Sequence, residues 1–336
     1  MKNVLEITNL KIGFGINDTN TTNVVHDLNL SINEKEIIGL VGESGSGKSV
    51  TCLAALQLAG SLAKVSGSVA FKGKSLLDLS EKDIAEIRGN DIAMIFQDPM
   101  SSLNPVKSLR SQIYEAIQLN NHHYANANKS LLEIEAIRLL SEVGIPDPKH
   151  RLESYPHELS GGMSQRAMIA IMLAGSPSLL IADEPTTALD VTIQAQILRL
   201  LKKLRNTHKM SIVLITHDLG VVAQTCDRIA VMYCGRIVES GSVIEVFKNP
   251  KHPYTKGLLN SRPKNVSNQI LTPIEGIVPM PNNLPKGCAF APRCKQAIQN
   301  CLDFIPKFTI ENEHGVACFN PVSTKKELDK EGCLNE

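Results

Sequence analysis

The chain has almost no net charge and no long apolar run, and these absences exclude several classes of protein. Its 336 residues carry 35 Lys and Arg against 34 Asp and Glu, so a basic surface for nucleic acid is not expected. No apolar stretch approaches the roughly 18 residues that a membrane-spanning helix needs, and the N-terminal residues lack the apolar core of a signal peptide. We therefore expect an intracellular protein that reaches any membrane through partner subunits.

Short apolar segments alternate with longer amphipathic ones, which is typical of an α/β fold. Near the N-terminus, residues 5–10 and 27–32 alternate apolar and polar side chains, as half-buried strands do. Continuous apolar runs at residues 37–41 and 179–182 are typical of strands buried on both faces of a parallel sheet. Helical patterns lie between such runs. The chain is therefore predicted to form a mainly parallel sheet with an antiparallel part.

A glycine-rich segment follows the apolar run at residues 37–41 and precedes a predicted helix. It matches the phosphate-binding pattern G-x-x-x-x-G-K-[ST], and its residues are Gly42, Glu43, Ser44, Gly45, Ser46, Gly47, Lys48 and Ser49. Glycines let backbone N–H groups turn toward a β-phosphate, and the helix N-terminus adds positive potential. Lys48 supplies a cation for the phosphate oxygens, and the Ser49 hydroxyl reaches Mg²⁺. The segment predicts a bound nucleotide with Mg²⁺.

Two carboxylates follow the apolar run at residues 179–182. A buried Asp183 at a strand end is costly without a partner, and Mg²⁺, held through water, would be that partner. Glu184 is placed to polarise an attacking water as general base. Alone, the pair would also fit a strand that ends at a polar turn. The phosphate-binding segment favours the catalytic interpretation.

Gln97 and His217 also follow predicted strands. Gln97 could contact Mg²⁺ or the attacking water at a hinge, and His217 could contact the γ-phosphate. Seen alone, a glutamine or histidine at a strand end is more often an ordinary polar surface residue. Both interpretations therefore depend on the neighbouring motifs.

A second motif, Leu159-Ser160-Gly161-Gly162, completes an ordered set. The set comprises the phosphate-binding segment, Gln97, this motif, Asp183-Glu184, Ala188-Leu189-Asp190 and His217. In this order, over roughly residues 3 to 250, it resembles the ATP-binding-cassette ATPases. Met163 stands where many cassettes have Gln, while Ser160 and both glycines match the family.

The resemblance implies a role for each matching residue. Ser160, Gly161 and Gly162 would bind the γ-phosphate of ATP held by a partner cassette, and Asp190 would link the two sites. His217 would act as the switch histidine. Phe14 would stack on the adenine, with Val25 as an alternative apolar contact. The expected fold is that of the P-loop nucleotide hydrolases.

Finer features resemble the D-type ATP-binding subunits of dipeptide and oligopeptide permeases. They are residues 96–105, 155–159 and 252–255, and the tail segments 284–288 and 292–294. The resemblance implies an ATPase on the cytoplasmic face of the membrane that drives peptide import. Implied partners are a homologous second ATP-binding subunit, forming a heterodimer, two transmembrane permease subunits and a solute-binding protein. Nickel importers use related subunits, so nickel complexes are the alternative cargo.

Two other functions are less consistent with the residues. Non-transport cassette ATPases that act on DNA or ribosomes usually carry a long coiled-coil insertion or a second cassette, and this chain shows neither. A regulatory subunit without turnover would need a damaged Lys48, Asp183 or Glu184, and all three are intact.

Composition divides the chain into parts. Residues 1–250 are predicted to form the nucleotide-binding domain, with a helical subdomain inserted at about 101–158. Residues 251–336 are rich in proline and are predicted to form an irregular C-terminal extension that contains cysteines.

Four of the five cysteines in that extension form the candidate cluster: Cys288, Cys294, Cys301 and Cys318. An intracellular compartment argues against disulfides, and no C-x₂-C pair is present, so spacing leaves metal ligands and reduced thiols equally open. Some relatives in the permease family with this cysteine pattern carry a [4Fe–4S] cluster, which four thiolates would hold in a structural role. A zinc site and plain buried thiols are the alternatives.

Overall fold

The computed structural model describes residues 2–16, 21–187, 189–261 and 273–322. Its strands are β1 (Asn3–Phe14), β2 (Thr22–Asn33), β3 (Ile37–Val41), β4 (Ala63–Phe71), β5 (Lys74–Ser75), β6 (Ile92–Ile95), β7 (Leu179–Asp183), β8 (Ser211–Thr216), β9 (Arg228–Tyr233), β10 (Arg236–Ser242), β11 (Thr309–Glu311) and β12 (His314–Val316). Its α-helices are α1 (Lys48–Ala55), α2 (Glu81–Ile87), α3 (Pro99–Ser102), α4 (Leu109–Asn120), α5 (Lys129–Glu142), α6 (Pro148–Arg151), α7 (Gly161–Leu173), α8 (Val191–His208), α9 (Leu219–Thr225), α10 (Val243–Lys248), α11 (Pro253–Asn260) and α12 (Gln299–Asp303).

The strands form two sheets. The first is antiparallel, with the order β2-β1-β4-β5, and the second is mixed, with the order β11-β12-β10-β9-β3-β8-β7-β6. In the second sheet, β9, β3, β8, β7 and β6 run parallel, while β10, β12 and β11 are antiparallel. The predicted α/β class, with a parallel core and an antiparallel part, is therefore confirmed.

The parallel strands end together at one edge of the second sheet. Val41 lies opposite Thr216 in the pairing of β3 with β8, and Asp183 lies opposite Ile215 in the pairing of β7 with β8. Every residue of β3, β6, β7 and β8 is buried, because helices and the first sheet cover both faces. Segments that follow these strands therefore meet at the carboxyl edge, where open α/β sheets bind ligands.

The strand β4 is not indicated by the sequence pattern. Its first six residues are half-buried or exposed, and they include Gly67 and two serines with weak β propensity. The segment forms a strand because it pairs antiparallel with β1, although its own residues have little preference for strand structure. The same pairing extends β1 beyond the alternating residues 5–10.

Between β6 and β7 the chain is helical, as the sequence predicted. Ser108 and Asn128 cap α4 and α5, each accepting a hydrogen bond from a backbone N–H in the first turn. The apolar faces of α4 and α5 pack against α7 in one buried cluster. The same cluster contains Ile95 of β6 and Ala182 of β7, so this helical layer packs against the parallel strands.

The C-terminal extension is mostly irregular but joins the main sheet. Its strand β12 pairs with β10, and a buried Glu239 on β10 accepts hydrogen bonds from the backbone N–H groups of Lys251 and His252 at 2.6 and 2.9 Å. The ring of His314 contacts the same carboxylate at 2.7 Å. No helix in the described ranges is long and apolar enough to cross a bilayer.

Candidate nucleotide site

The phosphate-binding segment lies between β3 and α1, as the sequence predicted. Gly47 caps α1 with φ 101°, a left-handed conformation that glycine adopts without strain. A Cβ on Gly42 would lie 2.2 Å from the carbonyl oxygen of Met232. The backbone at these two positions therefore requires glycine, and the loop leads directly into a helix N-terminus suited to phosphate.

Lys48 is directed back into this loop. Its ammonium group is buried and donates hydrogen bonds to the carbonyl oxygens of Gly42 and Glu43 at 2.9 and 3.0 Å. Burial lowers the pKa of Lys48, while the nearby Glu184 and Asp183 oppose that shift. The cation thus contacts the loop carbonyls and is close enough to the carboxylates of Asp183 and Glu184 to interact with their charges.

Asp183 and Ser49 provide oxygen ligands suited to Mg²⁺. Asp183 ends β7 and is only 7 % exposed; burial raises its pKa, and a hydrogen bond from the Ser49 hydroxyl opposes the increase. A buried carboxylate paired with a hydroxyl at the phosphate-binding loop offers the hard oxygen ligands that Mg²⁺ prefers. The two residues therefore fit the predicted ion.

Glu184 is the centre of a hydrogen-bonded cluster. Its Oε2 accepts hydrogen bonds from Gln97 Nε2 at 3.1 Å and from the Thr187 hydroxyl at 2.9 Å. Its Oε1 lies 3.1 Å from His217 Nδ1. The structure therefore brings Gln97, Glu184 and His217, three predicted catalytic residues from separate strand ends, into direct contact.

Partial burial would raise the pKa of Glu184, but hydrogen bonds from His217 and Thr187 outweigh it and lower the pKa below its ordinary value. A carboxylate with a lowered pKa stays ionised at neutral pH. Only the ionised form can accept a proton from water, so Glu184 is in the protonation state that a general base requires, while the cluster fixes the direction of its carboxylate.

Replacing His217 by Ala is expected to shift the pH dependence of turnover. The base is active above its pKa, and turnover is lost as pH falls through that value. Without the His217 hydrogen bond the pKa of Glu184 rises, so the acid limb of the kcat profile moves to higher pH. The measurement is ATPase rate against pH, with the exposed His150→Ala as control; an unmoved acid limb in His217→Ala contradicts the assigned role.

An open groove of about 400 Å³ lies along the phosphate-binding loop. Phe14 lines it together with Lys48, Ser49, Gln97 and Glu184. The aromatic ring predicted to stack on adenine is therefore beside the loop.

The alternative contact, Val25, was placed wrongly. Val25 is fully buried in the core, and its neighbour Val24 lines the groove instead. Successive residues of a strand point to opposite faces, so an assignment one residue away selects the wrong face.

Ser160, Gly161 and Gly162 lie apart from this groove. Ser160 is exposed and caps α7, where its side chain accepts a hydrogen bond from Met163 N–H at 3.4 Å. A Cβ on Gly162 would lie 2.7 Å from Ile193, so the glycine allows α7 to approach α8. None of the three lines the groove of its own chain.

Asp190 is exposed and caps α8, where it accepts a hydrogen bond from Ile193 N–H at 2.9 Å. Its neighbour Ala188 lies outside the described residues. The predicted link from Asp190 to a second site stays a prediction.

Comparison with known proteins identifies the family. Residues 25–187 match the ABC transporter family and residues 238–301 match the oligopeptide/dipeptide transporter C-terminal region. The chain is 49% identical over 321 residues to a protein of Sinorhizobium fredii described as a peptide ABC transporter ATP-binding protein, covering 94% of each. The chain belongs to the ATP-binding-cassette transporter family. It is the ATP-hydrolysing subunit of such a transporter, and works with membrane permease subunits.

Other relatives agree with this cassette assignment. A Brucella melitensis protein described as a peptide import ATP-binding protein is 49% identical, covering 88% of this cassette chain and 90% of that protein. A dimeric ATP-binding cassette bound to ADP and Pi matches with a TM-score of 0.61 and 27% identity, covering 71% of this chain and 98% of that one. A cbiO1 protein of Clostridium perfringens, part of the transporter complex cbiONQ, matches with a TM-score of 0.61 and 28% identity, covering 74% and 92%.

Sequence reasoning missed three residues around the cassette's nucleotide site. Thr187 contacts Glu184, while Tyr254 and Arg293 both contact Glu43 from the C-terminal extension. The adjacent Pro-Thr-Thr after Glu184 is a local signal for the first. No local signal could indicate the other two, because they lie more than 200 positions from Glu43.

The four tail cysteines of the cassette chain meet at one small pocket, which Cys288, Cys294, Cys301 and Cys318 all line. Burial raises the pKa of Cys288 and Cys294, and raises that of Cys318 to about 11. Within the described part of the chain, however, no group of three or more His, Cys, Asp or Glu is arranged to hold a metal ion. Neither this geometry nor the comparisons show the predicted iron–sulfur cluster, which stays a prediction.

Proposed function

We propose that this chain is the ATPase subunit of an importer for dipeptides and oligopeptides. The observation that carries the proposal is the joint match of the cassette and of its extension. The relatives from Sinorhizobium and Brucella, both described as peptide transport proteins, span both parts of the chain, and the extension matches the region found in oligopeptide and dipeptide transporters. We place the boundary at about residue 250, with the helical subdomain at 101–158.

In the proposed mechanism, the phosphate-binding segment and Lys48 bind the β- and γ-phosphates of ATP. Ser49, Asp183 and Gln97 would hold Mg²⁺, which neutralises charge on the phosphate oxygens when bound. Glu184 accepts a proton from the attacking water, and its contacts with Gln97 and His217 orient the carboxylate. Gln97 precedes the helical layer, so it is placed to relay the state of the site to the permease.

We further propose that two different cassettes form each site together. Ser160 and Gly161 are exposed and Gly162 is half-buried, and none of them lines the groove of its own chain. This position supports a role at a partner's ATP, with Asp190 between the two sites. The partner would be a homologous, non-identical ATP-binding subunit. The pair would act on the cytoplasmic face of the membrane, in contact with two permease subunits. A solute-binding protein would deliver the cargo to those permease subunits.

Replacing Ser160 by Ala tests this pairing. Ser160 and Ser80 are both helix caps that accept a hydrogen bond from a backbone N–H, at 3.4 and 3.2 Å. Each alanine variant is expected to lose a similar stability of about 1 kcal/mol. Only Ser160→Ala is expected to reduce ATP turnover of the assembled complex, and equal turnover in the two variants contradicts the pairing.

A growth assay tests which cargo the transporter imports. A strain that lacks this gene and requires one amino acid is grown with that amino acid supplied only within a dipeptide or a longer peptide. Growth is expected to return with the wild-type gene and not with a Glu184→Gln variant. Restored nickel accumulation without restored peptide growth would overturn the proposal in favour of the nickel importer.

For the tail, we propose that Cys288, Cys294, Cys301 and Cys318 hold a [4Fe–4S] cluster with a structural role. The support is their convergence at one pocket from separate segments. Anaerobic purification followed by iron and sulfide analysis is expected to find about four of each per chain. If the analysis finds zinc alone, the cysteines form a zinc site; if it finds no metal, they are plain thiols. Either result contradicts the cluster.

A further inference from the structure

Arg293 connects the C-terminal extension to the phosphate-binding loop. It ends a short 3-10 turn, Ala291–Arg293, and its side chain is only 4 % exposed. Its two terminal nitrogens donate hydrogen bonds to the two carboxylate oxygens of Glu43, at 2.7 and 3.0 Å. Such a paired contact between a guanidinium and a carboxylate is strong and directional.

The extension also holds the backbone of Glu43. The hydroxyl of Tyr254, on α11, accepts a hydrogen bond from the Glu43 N–H at 2.9 Å. Tyr254 is fully buried, and its ring packs against Tyr233 and Phe290 with centroids 4.6 and 5.4 Å apart. The second residue of the loop is therefore fixed at its amide and at its carboxylate by groups from the extension.

The charge of Glu43 matters because of where the residue lies. It follows Gly42 in the loop whose amides are assigned to phosphate, and its carboxylate is close enough to Lys48 to affect that residue's pKa. A free carboxylate there would repel a polyanionic ligand and compete for the Lys48 cation. Arg293 neutralises this charge in a partly buried setting, where solvent screens charges less than at an open surface.

We propose that Arg293 is a positioning residue for ATP binding, acting through Glu43. By this contact the extension sets the conformation and the charge of the phosphate-binding loop. The inference rests on the proposed assignment of residues 42–49 as the phosphate site. It gives the extension a role in nucleotide affinity in addition to any role in holding a cofactor.

Nucleotide binding to Arg293→Ala, measured with a fluorescent ATP analogue on the full chain, tests the proposal. We expect the Kd to rise about tenfold, equivalent to about 1.4 kcal/mol. In the assembled transporter, KM for ATP should rise with it while kcat changes less. Lys295→Ala is the matched control, because Lys295 lies in the same extension and forms an exposed ion pair with Glu275.

A double-mutant cycle separates positioning from a general loss of structure. In a Glu43→Gln background, the further change Arg293→Ala should have a much smaller effect on Kd than it has in the wild type, since the charge that Arg293 neutralises is gone. Arg293→Lys should recover part of the affinity. The same loss in both backgrounds, or no loss in either, overturns the proposal.

The variant Lys48→Ala distinguishes a wrong role for Arg293 from a wrong assignment of the phosphate site. If Lys48→Ala abolishes nucleotide binding while Arg293→Ala leaves it unchanged, the phosphate site stands and only the role of Arg293 is wrong. If Lys48→Ala binds nucleotide normally, the site assignment itself is wrong.

Discussion

Replacing Glu184 by Gln is expected to reduce ATP turnover by about 10²–10⁴-fold, the usual contribution of a general base. The amide keeps the size of the side chain but cannot accept a proton from water. ATP binding should persist, because Lys48 and Ser49 are unchanged. With hydrolysis blocked, the two cassettes should remain in the closed, ATP-bound pair.

The measurements are steady-state ATPase rate, nucleotide affinity and the fraction of closed pairs on size-exclusion chromatography. Thr187→Val is the comparison variant, since it removes one hydrogen bond to the Glu184 carboxylate but leaves the base in place. It should lose less activity than Glu184→Gln. Near-normal hydrolysis by Glu184→Gln in the purified complex would show that another group is the base.

The second large effect is expected at Glu239, where alanine should destabilise the fold by about 3 kcal/mol or more. Glu239 is fully buried and accepts hydrogen bonds from two backbone N–H groups, those of Lys251 and His252, while His314 contacts the same carboxylate. Removing this carboxylate leaves two buried polar groups, those of His252 and His314, and the part-buried N–H of Lys251 without their partner. The contact between the extension and β10 should open first.

Thermal unfolding and limited proteolysis of the extension measure this effect. The matched control is Glu311→Ala, because Glu311 contacts the side chain of the same Lys251 but is 79 % exposed. Exposed ion pairs contribute about 0–1 kcal/mol, so this control should unfold near the wild-type temperature. Equal melting temperatures for the two variants would contradict the role of Glu239 as an anchor.

The fold class and the motifs at the carboxyl edge could be predicted because their signals are local. The apolar run of β3 followed by Gly42–Ser49 can be recognised from neighbouring residues alone. The same is true of the apolar run of β7 followed by Asp183 and Glu184. Parallel pairing then brings the strand ends together, as the general rule for α/β sheets predicts.

Prediction from the sequence failed where the structure depends on which strands pair or on which face of a sheet a side chain lies. The strand β4 is ordered by β1 rather than by its own residues, and the choice between Val24 and Val25 depends on which face of β2 meets the groove. The four tail cysteines were visible as a cluster in sequence. Their convergence at one pocket depends on segments that the sequence does not join.

The sequence by itself determined that this protein binds and hydrolyses a nucleotide, because a phosphate-binding loop and its carboxylates are short motifs with fixed spacing. Only the tertiary structure decided what surrounds that loop. It showed Glu184 held by Gln97, Thr187 and His217, and Glu43 held by the extension. Such contacts join residues far apart in the chain, and their specificity comes from geometry that no local pattern encodes.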